Sequence, residues 1–248
     1  MERQPVVIDS DSAESDAAAK FRSERFGNYK VGALLARGRT GFVFHGRDTR
    51  RSLPVVLGIF DAGILQDEAA VERFTRTLKQ VVPLRHPHLL KVYAAGKTGD
   101  HCWIAKEYVQ GEILADIIGR VGTLGGIDWR NAVKIGVYVA RALDYAHGKN
   151  LNHGNVTANN ILVGKIPAET KLADLAVAAA LGDDSNDPRI DIRDLGATLQ
   201  AMLASPTDAA APTQLRDIVA KMLSNQPPSA REVLGALESM AKAEKSTY

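Results

Sequence analysis

The chain has 248 residues, with 31 Lys and Arg against 29 Asp and Glu, a formal net charge of +2 and 45% apolar residues. This composition is typical of a globular protein with one or two domains, and the near-neutral charge argues against a nucleic-acid-binding or polybasic membrane-binding surface. The single cysteine, Cys102, excludes an intramolecular disulfide and a cysteine-based metal cluster. No apolar stretch approaches the roughly 18–20 residues that a membrane span needs. We therefore expect a cytoplasmic protein without membrane insertion.

The first 25 residues predict a flexible N-terminal arm. They combine one short apolar run, Val6 to Ile8, with an acidic and polar run, Asp9 to Asp16. Such a composition buries little surface. An alternative interpretation is that the apolar run forms a strand that docks on a sheet edge, in this chain or in a partner.

Between Tyr29 and Tyr108 the sequence predicts a small antiparallel sheet with one helix. Short runs of Val, Leu, Ile and Phe are separated by Gly, Asp and Arg, and each run has a normal strand length. The helix falls between Glu68 and Leu84. The five predicted strands are Tyr29 to Ala36, Gly41 to Gly46, Pro54 to Phe60, Leu90 to Ala95 and His101 to Tyr108.

After Gly111 the pattern becomes mainly helical. Apolar residues recur at helical spacing from Trp129 to His147, with Asp128 as the predicted N-cap. A strand-rich half followed by a helix-rich half indicates an α+β fold with two lobes, and a ligand is expected in a cleft between such lobes. The remaining predicted elements are a hairpin of Asn160 to Val163 and Lys171 to Ala173, then helices over Ile190 to Leu203, Gln214 to Leu223 and Ser229 to Met240.

Several motifs occur in an order typical of one enzyme family. The first, Leu35 to Val43, resembles the glycine-rich loop in which a hairpin brings backbone N–H groups close to nucleotide phosphates. Those that follow are Arg85 to Pro87, Glu107 to Gly111, Leu143 to His147, His153 to Leu162, Asp174 to Ala176 and Asp191 to Gly196. The chain thus resembles the protein kinase superfamily, and within it the bacterial eukaryotic-type Ser/Thr protein kinases.

This resemblance implies a two-lobed protein-kinase-like fold. The implied boundaries are a flexible arm at 1–25, an N-lobe at 26–109, a truncated C-lobe at 110–243 and a tail at 244–248. The C-lobe is expected to be short because residues 176–190 leave no room for the usual activation segment. Ser185 is the only hydroxyl side chain in that gap, and residues 204–212 are too few for the helix that relatives carry there.

The positions that carry out phosphoryl transfer in the family are replaced. The phosphate-binding lysine aligns with Gly58, and its glutamate partner aligns with Thr77. The catalytic aspartate aligns with Asn155, whose amide cannot act as a general base. His153 survives, but relatives use it as a packing residue. The resemblance therefore implies a degraded kinase, a pseudokinase, with no catalytic residue in place.

Other family positions survive. Asn160 and Asp174 match the two side chains by which relatives hold magnesium, so a metal site is one hypothesis and a structural capping role is the other. Lys106 occupies a position that in relatives is usually apolar and faces the nucleotide pocket. One interpretation is that Lys106 supplies a substitute cation for phosphate. The other is that it pairs with an acidic group such as Asp174 and plugs the pocket. Arg37 and Arg39 in the glycine-rich loop are further candidates for phosphate contacts. The implied vestigial nucleotide cleft comprises Gly38, Gly41, Val43, Val56, Lys106, Glu107, Val109 and Leu162.

Three functional hypotheses follow from the resemblance. The first is a catalytically inactive regulatory or scaffolding module that binds another protein, such as an active kinase or signalling component, and needs no cofactor. The second is a sensor that binds ATP, with or without magnesium, and transfers nothing. The third is a weak or repurposed Ser/Thr kinase-type transferase built around Lys106.

Overall fold

The computed structural model describes residues 18–122, 127–183, 187–203 and 211–245. Backbone contacts divide the chain into two compact units. The first unit comprises Met1–Leu84, Lys91–Tyr108 and Ala180–Gly182, and the second comprises Arg85–Leu90, Val109–Ala179 and Asp183–Tyr248. Within the described residues, no helix is both long enough and apolar enough to cross a bilayer.

Within the described residues, the first unit is built on one antiparallel sheet with six strands, not the five that were predicted. The sixth strand is a two-residue edge strand, β1, which pairs with β2 and lies at the predicted boundary between the arm and the N-lobe. The strand order is β1-β2-β3-β4-β6-β5. The strands are β1 (Arg25–Phe26), β2 (Tyr29–Gly38), β3 (Gly41–Asp48), β4 (Pro54–Phe60), β5 (Val92–Thr98) and β6 (His101–Glu107).

Both faces of this sheet carry apolar side chains because residues alternate between them. One face presents a buried cluster that includes Phe44, Leu57 and Trp103. The predicted helix, α1 (Glu68–Val81), buries Ala70, Phe74, Leu78 and Val81, and its Phe74 ring lies 5.3 Å from the Phe60 ring. Asp67 caps the helix, with its carboxylate accepting the Ala70 N–H at 2.6 Å.

The prediction of a flexible arm is wrong for residues 18–25. Ala18 and Phe21 are only 4% and 3% exposed, and both belong to the apolar cluster on the sheet. The overall composition of the first 25 residues does not reveal this packing, because a single aromatic residue is enough to dock a short segment on the sheet. Residues 1–17, with Val6 to Ile8 and Asp9 to Asp16, lie outside the described part of the chain.

The chain after Tyr108 forms a second, three-stranded sheet and six helices within the described residues. The predicted hairpin is part of this sheet, which gains a strand from Gly111–Ile113 and has the order β7-β8-β9. Two of the helices, α2 and α4, were not predicted. The elements are β7 (Gly111–Ile113), α2 (Leu114–Gly122), α3 (Trp129–His147), β8 (Ile161–Gly164), β9 (Lys171–Leu172), α4 (Val177–Leu181), α5 (Pro188–Leu203), α6 (Thr213–Met222) and α7 (Ala230–Lys245).

The long helix α3 is the centre of the second unit. At Gly136 an added Cβ would lie 3.0 Å from Leu199 on α5 and 3.1 Å from Leu237 on α7, so the three helices approach closely at this glycine. Arg141 on α3 donates to the Glu238 carboxylate on α7 at 2.6 Å. The predicted N-cap is confirmed: the Asp128 carboxylate accepts the Arg130 N–H at 2.8 Å. Residues 184–186, 204–210 and 246–248, which include Ser185, lie outside the described residues.

Candidate functional site

The glycine-rich hairpin is formed by β2 and β3, with Arg39 and Thr40 between the paired residues Gly38 and Gly41. Gly41 is opposite Phe60 on β4, and any Cβ at position 41 would overlap the Ile59 carbonyl oxygen and lie 2.8 Å from Phe60 Cα. Only glycine permits this approach. The hairpin therefore depends on glycine at position 41 for its close packing against β4.

Arg37 is held by neighbours in the first unit. Its guanidinium donates to the Asp61 carboxylate at 2.7 Å and lies 4.2 Å from the centre of the Phe42 ring. The Asp61 N–H also donates to the Thr40 carbonyl at 3.0 Å. These contacts fasten the hairpin tip to the end of β4, so Arg37 is engaged in bracing the loop.

Three of the predicted cleft residues, Val43, Val56 and Lys106, share one face of the first sheet. Val43 pairs with Gly58, and Val56 pairs with Lys106, which in turn pairs with Val92. Since directly opposed residues project from the same face, Val43 and Gly58 lie together, as do Val56 and Lys106. Lys106 is only 8% exposed. This face is opposite the apolar cluster that contains Leu57 and Ala105.

The family's lysine and glutamate positions hold neither side chain. A Cβ at Gly58 would lie 3.1 Å from Ile104 Cγ2, which is tighter than ordinary van der Waals contact, so a side chain there requires a shift of Ile104. Thr77 lies half-buried on α1. The first unit therefore has no lysine–glutamate pair at these two positions.

The remaining predicted nucleotide-binding residues are divided between the units. Glu107 ends β6 in the first unit, where its carboxylate accepts the Lys91 N–H at 3.2 Å and its own N–H donates to the Lys91 carbonyl at 2.8 Å. Val109 is half-buried in the second unit, just before β7. Leu162 lies in β8, opposite Ile113 and Lys171. Glu107 and Leu162 thus lie in strands, whereas Val109 lies in the link between β6 and β7.

A buried carboxylate on α5 holds the loop that matches the catalytic loop of kinases. Asp191 is fully buried; its Oδ2 accepts the His153 N–H at 2.8 Å and the His147 Nε2–H at 2.8 Å, and its Oδ1 accepts the Gly154 N–H at 2.7 Å. Hydrogen bonds to an ionised acceptor are stronger than neutral ones. The backbone of residues 153 and 154 is therefore fixed from within the second unit.

Two further side chains of α5 hold Val156, two residues further along the loop. Asp194 accepts the Val156 N–H at 3.1 Å, and the Thr198 hydroxyl donates to the Val156 carbonyl at 3.1 Å. Burial raises the pKa of the Asp194 carboxyl. Sequence reasoning placed Asp191 at the start of this helix but did not find the loop-holding role of Asp191, Asp194 or Thr198. Their spacing of three and four residues places the three side chains on one face of the helix, and this pattern could have indicated a shared contact.

His153 is a packing residue whose two ring nitrogens are both used. Nε2 lies 2.6 Å from the Ala173 carbonyl oxygen, and Nδ1 accepts the Asn155 N–H at 3.2 Å. This pairing requires a neutral ring with the proton on Nε2. Burial lowers the pKa of His153 below its ordinary value of 6.5. His153 thus joins the loop to the strand end that precedes Asp174.

We expect the protein to lose stability as the pH falls below about 6.5. Burial lowers the pKa values of His86, His88 and His153, so the unfolded chain takes up protons that the folded chain does not. Stability is then complete above pH 6.5, and His153 alone contributes a slope of at most about 1.4 kcal/mol per pH unit below it. Urea unfolding from pH 7.5 to 5.5 measures this slope. His153→Gln should reduce it, and an unchanged slope would contradict the assignment.

Asn155 and Asn160 lie close together in the loop. The Asn155 side chain is exposed, and the backbone carbonyl of Asn155 accepts the Asn160 Nδ2–H at 2.9 Å. The Asn160 carbonyl in turn accepts the Ala173 N–H at 2.8 Å. The Asn160 amide nitrogen thus binds the loop backbone, and the Asn160 side-chain oxygen is a ligand of the type that magnesium prefers. Both predicted interpretations of Asn160 remain predictions.

The turn that matches the Asp-Phe-Gly motif has an uncommon backbone. Asp174 and Ala176 have φ angles of 61° and 58°, in the left-handed region, while Leu175 and Ala176 are buried at 4% and 2% exposure. A side chain in this region costs about 1 kcal/mol, so surrounding contacts must hold the turn. Asp174 supplies carboxylate oxygens. Among the described residues, no group of three or more His, Cys, Asp and Glu side chains could hold a metal ion.

Comparisons with known proteins match this arrangement to a family. A sequence profile described as "Protein tyrosine and serine/threonine kinase" matches residues 29–195. The chain is 30% identical over 168 residues to the probable serine/threonine-protein kinase PknB of Bifidobacterium longum, a match that covers 64% of this chain and 24% of that protein. It is 31% identical over 202 residues to the serine/threonine-protein kinase PknL of Mycobacterium bovis, covering 72% of this chain and 50% of that protein. The chain thus spans between a quarter and half of these curated relatives.

A solved structure shows the same fold. The Mycobacterium tuberculosis PknI kinase domain matches with a TM-score of 0.75 and 23% sequence identity, covering 89% of this chain and 98% of that chain. The predicted α+β, two-lobed protein-kinase-like fold class is therefore confirmed, with six strands in the first sheet in place of five. The chain belongs to the protein tyrosine and serine/threonine kinase family.

Proposed function

We propose that this chain is a pseudokinase, a kinase-fold module that regulates or scaffolds another protein and transfers no phosphoryl group. One observation carries the proposal: Asp191 holds the backbone of residues 153 and 154 by two hydrogen bonds, while the side chain at the position of the general base is the exposed amide of Asn155. The loop keeps its support but lacks the group that accepts the substrate proton.

The paired replacements at Gly58 and Thr77 support the same proposal. Phosphoryl transfer depends on neutralising phosphate charge, and the family does this with a lysine that is oriented by a glutamate. A partly buried glutamate without its lysine would be an unpaired charge, which is costly. Loss of both residues avoids this cost, so the first unit remains stable without the catalytic ion pair.

The partner of such a module is another protein, for example an active kinase or a signalling component. A regulator of this kind acts by binding alone, and its effect on a partner comes from the difference in its affinity for the partner's conformations. The arrangement of a firmly held loop and a braced hairpin favours a module with one stable conformation.

A phosphoryl-transfer assay tests the proposal. The purified chain is incubated with ATP, magnesium and a generic acceptor protein. We expect it to transfer no more phosphate to the acceptor than the matched variants Asp174→Asn and Lys106→Met do. Active kinases, by comparison, turn over at about 1–100 s⁻¹. The reason is the absence of the base and of the lysine–glutamate pair. Incorporation that requires magnesium and is lost in both variants would contradict the proposal and favour a transferase built around Lys106.

A nucleotide sensor is the second candidate function. It is favoured by Gly41, which keeps the close hairpin packing, and by Asn160 and Asp174, which supply magnesium-type oxygen donors. Thermal unfolding with and without ATP, each measured in the presence and absence of magnesium, distinguishes the sensor from the scaffold. A ligand at 100 times its Kd stabilises the native state by about 2.7 kcal/mol. No shift at millimolar ATP supports the scaffold, and a shift without turnover supports the sensor.

A further inference from the structure

Three cationic side chains form a row across the first three strands of the first sheet. Arg25 on β1 is directly opposite Lys30 on β2, and Lys30 is directly opposite Arg47 on β3. Directly opposed residues in antiparallel strands project from the same face, with Cβ atoms about 4.5–5.5 Å apart. All three side chains are exposed. We call this row the cation ladder.

Among the residues that the structure describes, no acidic side chain pairs with the cation ladder. None of the three residues forms an ion pair or a side-chain hydrogen bond within the part of the chain that the structure describes. The buried Asp48 lies opposite Tyr29, one residue from the ladder and so on the other face, and its carboxylate accepts the backbone N–H groups of Arg50 and Arg51. Like charges placed directly opposite each other destabilise a sheet. A row that is kept at such a cost indicates an anionic occupant.

The chain itself supplies an anion of the right charge close to the ladder. The segment 9–16 contains Asp9, Asp11, Glu14 and Asp16 and no cation. It ends two residues before Ala18, which is packed against the first sheet. Because the segment is tethered there, its effective concentration at the ladder is in the millimolar range, far above that of a free acidic peptide in solution.

The extended length of segment 9–16 exceeds the width of the three strands that carry the ladder. Ala18 and Phe21 belong to the apolar face, whereas Lys30 alternates with the buried Tyr29 and Val31 and so lies on the opposite face. To contact the ladder, the chain before Ala18 would have to pass the sheet edge at β1, which is a short strand of only two residues. Eight extended residues span at most about 27 Å, and three strands are about 10 Å wide.

We propose that the acidic segment 9–16 docks on the cation ladder formed by Arg25, Lys30 and Arg47. The segment then neutralises the ladder within one molecule and keeps this face from binding other anionic surfaces. The contact is electrostatic, so it weakens as salt shortens the screening length from about 10 Å at 0.1 M to about 3 Å at 1 M.

Zero-length carboxylate–amine cross-linking of the full chain at low salt tests the contact directly. We expect a covalent link between Lys30 and an acidic residue of segment 9–16 within the monomer. Lys221, an exposed lysine on α6, is the matched control and should give no such link. Absence of the Lys30 link, or a link recovered only between two copies of the chain, would overturn the proposal.

A double-mutant cycle provides the second test. Lys30→Glu is made in the natural chain and in a variant with the segment neutralised by Asp9→Asn, Asp11→Asn, Glu14→Gln and Asp16→Asn. In the neutralised variant Lys30→Glu should stabilise the fold, because it relieves repulsion from Arg25 and Arg47. In the natural chain Lys30→Glu should stabilise the fold less, or destabilise it. The effect of Lys30→Glu on the unfolding equilibrium constant should differ between the two backgrounds by about threefold or more, and this difference should disappear at high salt. The same effect in both backgrounds would refute the docking.

Discussion

Replacing Asp191 with Ala is expected to destabilise the protein by about 3–5 kcal/mol, the largest effect of any single change that we predict. The buried Asp191 carboxylate accepts hydrogen bonds from the backbone of His153 and Gly154 and from the His147 ring. Removing it leaves these donors without their acceptor in the interior, and each unsatisfied donor costs about 1–3 kcal/mol. Denaturant unfolding followed by circular dichroism measures the loss.

Two other variants make this result specific to the buried carboxylate. Asp191→Asn keeps the shape but offers one oxygen in place of two, so we expect an intermediate loss of about 2 kcal/mol. Asp144→Asn removes a carboxylate that pairs with the exposed Arg231 on α7, and a surface pair of this kind contributes about 0.5 kcal/mol or less. Equal losses for Asp191→Ala and Asp144→Asn would show that Asp191 does not hold the loop.

Replacing Phe21 with Ala is expected to cost about 3–4 kcal/mol. The Phe21 ring is 3% exposed and lies 5.7 Å from Phe42, 5.9 Å from Phe44 and 4.9 Å from His101. Truncation to Ala leaves a cavity in the apolar cluster and removes these edge-on ring contacts. Thermal or denaturant unfolding checks the value.

The matched control is Leu53→Ala, at a position that is 45% exposed, where the loss should stay within about 0.5 kcal/mol. Phe21→Leu keeps most of the volume and should lose only about 1–1.5 kcal/mol. A loss below 1 kcal/mol for Phe21→Ala would mean that residues 18–25 form a detachable arm, as the composition first indicated.

The sequence predicted the parts of the fold that local pattern determines. Alternating apolar residues located β3 and β4, and helical spacing with the Asp128 cap located α3. The ordered motifs also located Asn155 and the turn at Asp174, because family motifs keep their order along the chain. In each case the information lies within a few neighbouring residues.

Long-range contacts explain what the sequence did not predict. The burial of Phe21 depends on Phe42, Phe44 and His101, which are distant in sequence, and nothing local distinguishes it from a phenylalanine in a solvated arm. The edge strand β1 is too short for a periodic pattern. The three hydrogen bonds that Asp191 accepts likewise join segments about 40 residues apart.

The way in which Asp191 holds the loop bears on how inactive kinases arise in evolution. Asp191 binds the backbone N–H groups of His153 and Gly154, and the side chain at position 155 takes no part in these bonds. If position 155 is where relatives carry the catalytic base, as the proposed function holds, a substitution of this exposed residue changes that base with little effect on folding, since surface changes usually stay within about 0.5 kcal/mol. Selection for stability then does not oppose the loss of chemistry. A fold that anchors its catalytic loop in this manner can lose its enzymatic function in a single mutational step and still persist as a folded protein.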